Sequence, residues 1–240
     1  MAKMEKPTRH PEQHHGDPGA KLNWLRAGVL GANDGIVSIA GLVVGVAGAT
    51  QSLPIIFTAG LAGIIAGAIS MAAGEYVSVS SSRDTEEALL QKEKYELQHF
   101  PDEEFEELVR IYQGKGLSRK TAEQVAHELH EKDAYAAHID AELNIDPDNL
   151  TNPWHAAFAS STSFVAGAII PMLAVMFPPS AIRIPFTFGA VVLALALTGT
   201  ISAKVGNASV WQAVIRVVSG GILAMVITYF IGRLFGVSGV

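Results

Sequence analysis

The sequence predicts an all-α, polytopic membrane protein with five transmembrane helices and a cytoplasmic helical insert between the second and third. Two observations lead there. Five segments reach the roughly 20 mostly apolar residues that a helix needs to cross a bilayer: Ala27–Ala49, Leu53–Ser80, Ala156–Phe177, Ile184–Ala203 and Ala213–Phe235. They almost wholly lack the polar face at helical period that a buried helix of a water-soluble protein carries. Charge is segregated as well. The stretch from Asp84 to Asp148 holds 18 acidic and 7 basic residues, a net charge of −11, whereas the rest holds 5 acidic and 10 basic residues and is positive at +5. Two environments, water and lipid, account for this division better than one globule does.

Residues 1–23 read as a polar, His- and Pro-rich tail ("HPEQHHGDP"), unlike a secretory signal peptide and expected to be disordered. Residues 24–82 follow with spans one and two, joined so tightly by "TQSL" that they must lie side by side and antiparallel. Gly31–Gly35, Gly41–Gly45 and Gly63–Gly67 give these spans GxxxG spacing, which lets helix backbones approach closely in lipid. Pairing between two copies of the chain through those helices is the expectation. Residues 83–153 form the acidic domain. Its first helix, "SRDTEEALLQKEKYELQHF", runs to Pro101, and "PDEEFEELVRIYQGKG" restarts with acids in the first turn, where the helix dipole favours them. Ser118 is placed to cap a third helix, expected as one continuous rod to Leu143 and ended before "NIDPDN". The domain is too short for a large core and reads as a small helical bundle leaning on a partner copy. Residues 154–240 supply the last three spans, the first two joined by "PPSAIR".

Lysine and arginine orient the chain. Lys3, Lys6, Arg9, Lys21 and Arg26 precede the first span, Arg83 follows the second, and Lys204 and Arg216 flank the loop between the last two. The N-terminus and the insert are therefore expected in the cytoplasm and the C-terminus outside, with Arg183 and Arg233 dissenting on the far side. The absence of cysteine excludes disulfides and thiolate metal sites. No basic stripe carries interleaved aromatics, so nucleic acid is not an expected partner.

Several constellations could carry chemistry. Glu93 and Glu96 are three apart on one helix face, as are Glu104 and Glu107 beyond Pro101. Like charges this close repel unless a cation sits between them, and Mg²⁺, Mn²⁺ and Fe²⁺ take carboxylate ligands; for any single pair, a solvated acidic surface is the better account. In the third helix His127, Glu131, His138 and Glu142 fall in a stripe about 60° wide on an ideal helix, with Val125, Leu129, Ala136 and Leu143 opposite as the packed face. Imidazole and carboxylate together suit a first-row transition metal, though an ordinary wet helix face carries such residues too. Glu96-x-x-His99 is the helical element of di-iron carboxylate proteins, but it occurs once where two are needed.

Inside the membrane, Asp34 is the exceptional residue of the first span, and an intramembrane acid is a functional candidate by default. The alternatives are a cap for a helix break at "NDG" or an ion pair with Arg26 or Arg83. Glu75 in the second span is expected at similar depth, because the two acids lie about 19 and 22 residues either side of the turn near Leu53. Met71, about one turn before Glu75, adds a soft thioether to its face; most such methionines serve packing alone.

These residues resemble the vacuolar iron transporter (VIT) family, which moves Fe²⁺ and Mn²⁺ out of the cytosol. The similarity runs through "VLGANDGIVS", "AGAISMAAGEYVSVSS", the acidic insert and three further spans, nearly the whole chain after the first 20 residues. It implies a homodimer with five spans per subunit, a cytoplasmic metal-binding domain, exchange of metal for protons, and a pathway between subunits lined by the first span and its neighbour. By this resemblance the first-span aspartate is Asp34 and the pathway methionine Met71. The four insert glutamates are Glu93, Glu96, Glu104 and Glu107, and the third-helix glutamate is Glu142. Two departures stand out. A second pathway acid of the plant vacuolar branch falls on Gly63, with Glu75 a substitute one turn beyond Met71, as in the nodulin-like branch that shares "GEYVSV"; and third-helix methionines are replaced by His138 and Ile139. The expected protein is thus a transporter and no enzyme, holding Fe²⁺ or Mn²⁺ as cargo without a permanent cofactor, in a bacterial inner membrane. The alternative is a membrane-anchored iron-storing, iron-oxidising or metal-sensing protein that uses the insert alone.

Overall fold

The computed structural model describes residues 18–237, with side chains over residues 28–236. The tail expected over residues 1–23 lies outside the described residues, apart from helical backbone from Pro18 onward, and so does any pairing of Arg26. The described residues form seven α-helices and one π-helical turn, with no strand: α1 (Pro18–Ala49), α2 (Leu53–His99), α3 (Pro101–Gly114), α4 (Arg119–His138), the π turn (Ile139–Leu143), α5 (Pro153–Met176), α6 (Arg183–Val205) and α7 (Val210–Val237). Five of them, α1, α2, α5, α6 and α7, contain stretches long and apolar enough to cross a membrane.

The first span is the hub of the bundle. Ile36, Ala40 and Val44 of α1 meet Val191, Ala194 and Leu195 of α6 and Met225 of α7. Ile39 and Val43 face the other way, onto Ile56 of α2 and Phe164, Ala168, Met172 and Val175 of α5. Apolar burial cannot draw helices together in lipid, so close backbone approach through small residues has to do it. A methyl group on Gly35 would run into the Phe164 carbonyl of α5, and one on Gly232 of α7 into the Gly45 carbonyl of α1. The glycine faces of α1 are thus spent within the chain itself, Gly31 and Gly35 on α5, Gly41 and Gly45 on α7. The tight loops do make neighbours of α1 and α2, yet α1 packs more extensively on α5 and α7.

The second span does not stop at the membrane. α2 is one helix of 47 residues, about 70 Å long at 1.5 Å per residue. Its course has a local cause: between Glu75 and His99 there is neither glycine nor proline, and the pairs Arg83–Glu87 (2.8 Å) and Lys92–Glu96 (2.9 Å) brace successive turns. It ends at Phe100 (φ −133°, ψ 48°), because Pro101 disfavours helical backbone in the residue before it. Pro101 then opens α3, with Asp102, Glu103 and Glu104 in its first turn.

Ser118 caps α4, its Oγ accepting from the Thr121 N–H at 3.3 Å. The continuous rod expected from there to Leu143 is absent. Asp133 is extended (φ −169°, ψ 98°) inside α4, and its Oδ1 accepts from the Ala136 N–H at 2.9 Å. Aspartate three residues before a free N–H is a helix cap, so Asp133 ends one helical segment and starts another. The π turn follows and closes at Asn144 in the left-handed region (φ 50°). The predicted packed face changes accordingly: Leu108 and Val109 of α3 close on Ala122, Ala126 and Ala137 of α4, while Ala136 is exposed.

Candidate metal centre

The kink at Asp133 separates the expected His/Glu stripe. His127 and Glu131 lie before it and stay in solvent, with side chains 69% and 72% exposed. His138 lies after it and turns inward, while Glu142, one turn on, reaches the same point from an exposed position, its side chain 30% exposed. His138 is fully buried, 0% exposed, and Glu93 is 3% exposed. Glu93 from α2, Glu104 from α3, His138 from the end of α4 and Glu142 from the π turn each offer one ligand atom, all within 4.8 Å of one another. His138 Nδ1 is 2.9 Å from Glu93 Oε1, 3.5 Å from Glu104 Oε2 and 4.0 Å from Glu142 Oε2. Ligand bonds of roughly 2.0–2.6 Å around one ion give separations of this size. Glu96 and Glu107 stand at the rim, Glu96 paired with Lys92 at 2.9 Å and Glu107 3.9 Å from Arg110.

The closest pair is also the least satisfied. Glu93 Oε1 and His138 Nδ1 are buried and, despite their 2.9 Å separation, neither makes a hydrogen bond. A buried polar atom without a partner is costly and calls for an explanation. The other side of the His138 ring supplies one. His138 Nε2 lies 3.0 Å from His130 Nε2, so an Nε2–H donated to His130 leaves Nδ1 as a lone pair facing three carboxylates, the tautomer a metal ligand needs. His130 itself stands edge-on to Phe105, ring centroids 5.5 Å apart. Sequence reasoning passed over His130; its signal was the Asp cap at Asp133, which breaks the helical phase between the two histidines.

Protonation follows burial and crowding. Desolvation, then Glu142, Glu104, Glu96 and Glu107, push Glu93 up to about 7. Desolvation and carboxylate neighbours also raise Glu104 and Glu142. Burial and His130 lower His138 to about 4. Three nearby carboxylates would by themselves favour the imidazolium, but complete burial of the ring dominates and keeps it neutral. The metal-free site therefore holds protons on carboxyl groups, and a divalent cation would displace them. Oxygen donors with one imidazole suit a first-row divalent ion better than Ca²⁺. Glu96-x-x-His99 is not a unit of this site, for His99 stacks on Tyr95 and bonds the Tyr95 carbonyl at 2.8 Å.

In the membrane, α1 runs unbroken through Asn33, Asp34 and Gly35, so Asp34 caps no helix break. Ser38 Oγ donates to Asp34 Oδ1 at 2.8 Å, and Thr198 Oγ1 of α6 donates to Asn33 Oδ1 at 2.6 Å. Arg83 pairs with Glu87 and is no partner for Asp34. Met71 is half-buried against the Ile39–Phe164 cluster. Phe164 touches the positions of both Gly35 and Gly67, which marks one level on α1 and α2. Met71 and Glu75 lie four and eight residues toward the insert from it, about 6 and 12 Å, so Glu75 lies farther along the bundle toward the insert than Asp34. At Gly63 a side chain would run into Leu42 of α1.

Comparison with known proteins agrees with this layout. Residues 25–233 match the model of the VIT family. A "Vacuolar iron transporter" of Acanthamoeba castellanii is 41% identical over 229 residues, 95% of this chain and 84% of the relative. "Vacuolar iron transporter homolog 1" of Oryza sativa subsp. japonica is 37% identical, covering 92% of this chain and 78% of the relative. "Vacuolar iron transporter homolog 4" of Arabidopsis thaliana is 34% identical, covering 93% and 89%. Matched over most of its length in this way, the chain belongs to the VIT family, whose members are transporters rather than enzymes.

Proposed function

We propose that the protein removes Fe²⁺ or Mn²⁺ from the cytosol in exchange for protons, working as a homodimer with its N-terminus and acidic domain in the cytoplasm. The observation that carries this reading is the four-ligand cluster hung on α2, the same unbroken helix that bears Met71 and Glu75. Metal gathers at Glu93, Glu104, His138 and Glu142, with Glu96 and Glu107 holding negative potential at the rim. It then passes Glu75, Met71 and Asp34 through the membrane, and carboxylates that release it take up protons. Divisions at about residues 24, 83 and 154 separate tail, first span pair, gathering domain and last three spans. This orientation serves a bacterial inner membrane and equally the vacuolar membrane for which the relatives are named.

A strip along α1 supports dimerisation. Leu30, Asp34 and Ser38 recur every four residues on one side of α1, and Leu30 is 60% exposed. A carboxylate on a strip facing lipid costs several kcal/mol, which a second copy covering the strip removes. The pathway then runs between subunits.

Asp34→Asn tests transport against storage. The amide keeps size and hydrogen bonding but not charge, so insertion and folding should be unharmed. Flux of Mn²⁺ or Fe²⁺ into liposomes, and the counterflow of protons, should collapse while metal binding by the insert is unchanged. Parent-rate flux would make Asp34 structural and defeat the pathway; an iron store would be indifferent to the change.

A further inference from the structure

Arg183 and Arg233 break the charge rule that orients the chain, and the fold brings them together. Both line a cavity of about 230 Å³ at the end of the bundle opposite the insert, where α1 ends, α6 begins and α7 nears its end. Gln51, Ser180 and Tyr229 share its wall. Arg183 is only 6% exposed. Its Nη1 donates to the Gln51 carbonyl at 3.2 Å, while its Nε, also buried, has no partner. Arginine is a fixed cation with five N–H donors, and a buried charge left uncompensated is strongly unfavourable.

Among the described residues, no carboxylate side chain pairs with it. The sequence has no Asp or Glu from residue 35 to 74, nor from 149 to 240, the two stretches that build this end of the bundle. The backbone adds positive potential of its own. Arg183 opens α6, a helix of 23 residues whose N-cap, Ile182, provides no side-chain acceptor. With Pro185 carrying no N–H, the Arg183 and Ile184 N–H groups and the positive end of the dipole have no side-chain cap there. Arg183 acting only as a clip on the end of α1 explains the Gln51 bond. It explains neither the orphaned Nε nor a second arginine on the same cavity.

We propose that this cavity binds a phosphate-type oxyanion between the guanidinium groups of Arg183 and Arg233, with the Ser180 and Tyr229 hydroxyls as neutral donors. A guanidinium presents paired donors that match two oxygens of a phosphate. At the membrane end of the bundle this chemistry is supplied either by the headgroup of an anionic phospholipid or by free phosphate. The site is separate from the metal route and does not depend on it.

The test uses the full chain in lipid nanodiscs. One arm measures uptake of labelled inorganic phosphate in phosphatidylcholine discs; the other measures, by native mass spectrometry, phosphatidylglycerol retained from mixed discs. Arg233→Gln is the main variant, because Arg233 is exposed and its loss leaves the packing intact. Arg183→Gln is run beside it, with Mn²⁺ binding at the insert as the check of folding. Binding in at least one arm, weakened about tenfold or more by Arg233→Gln, is expected for the loss of a charge-assisted bond. Phosphate uptake identifies the free anion, and retention of phosphatidylglycerol alone identifies the lipid. No binding in either arm, or binding that Arg233→Gln leaves unchanged, overturns the proposal.

Discussion

Glu93→Gln separates what the proposed metal centre does for function from what it costs the fold. Glu93 is 3% exposed, and its Oε1 faces His138 Nδ1 at 2.9 Å without a hydrogen bond. Burial and four acidic neighbours raise its pKa from 4.5 to about 7. Because the folded-state value is raised, the advantage of the protonated carboxyl is complete below about 4.5 and is lost as pH climbs through about 7. At 1.36 kcal/mol per pKa unit, the ionised group costs the metal-free fold about 3 kcal/mol above pH 7. A neutral amide of the same shape carries no such cost. Without metal, Glu93→Gln should therefore stabilise the insert by on the order of 2–3 kcal/mol at alkaline pH, and by little at acid pH. With Mn²⁺ the order should reverse. A lost first ligand costs more than the 10- to 100-fold typical of an outer partner, so affinity should fall by at least about 100-fold. Hydrogen exchange at the amides of α3 and α4, with and without Mn²⁺ across pH, reads the local stability. Calorimetry reads the affinity. A variant that is destabilised without metal at alkaline pH, or that binds Mn²⁺ like the parent, would refute the assignment.

Other outcomes follow from the same geometry. Mn²⁺ affinity should rise with pH through about 7, where Glu93 loses its proton, and then level off; calorimetry in buffers of different ionisation heat should show protons released on binding, and a flat profile would count against the protonated site. His130→Ala should weaken Mn²⁺ binding by roughly 10- to 100-fold by freeing the His138 ring, while His130→Gln, whose amide oxygen can accept from His138 Nε2–H, should retain most of it; equal losses in both would make His130 mere packing. Leu30→Cys and Ser38→Cys, each placed in this cysteine-free chain, should cross-link two copies within the bilayer, and a persistent monomer in nanodiscs would exclude a pathway lined by that strip.

The sequence by itself determined the membrane architecture, because span length and the banishment of charge from lipid are written residue by residue. Five apolar runs gave five long helices, the last three with ends within three residues of those expected, whereas α1 begins earlier, at Pro18, and α2 runs on past Ser80 to His99. Local chemistry also marked the breaks at Pro101 and Ser118 and the end at Asn144. Asp34 stood out for the same reason: in an apolar run a carboxylate is visible without any knowledge of neighbours. Periodicity went wrong where one residue reset the phase. On an ideal helix His127, Glu131, His138 and Glu142 share a face, but Asp133 caps a second segment, leaving His127 and Glu131 in water, burying His138 and setting Glu142 at the edge of the cluster. Glycine spacing was readable as close packing, yet spacing does not name a partner, and Gly35 and Gly45 meet α5 and α7 of the same chain. Only the tertiary structure decided which acids converge. Glu93 and Glu96 are equals in sequence, but one meets His138 of α4 and the other pairs with Lys92, since a one-turn difference on α2 is the difference between the inside of the insert and its rim.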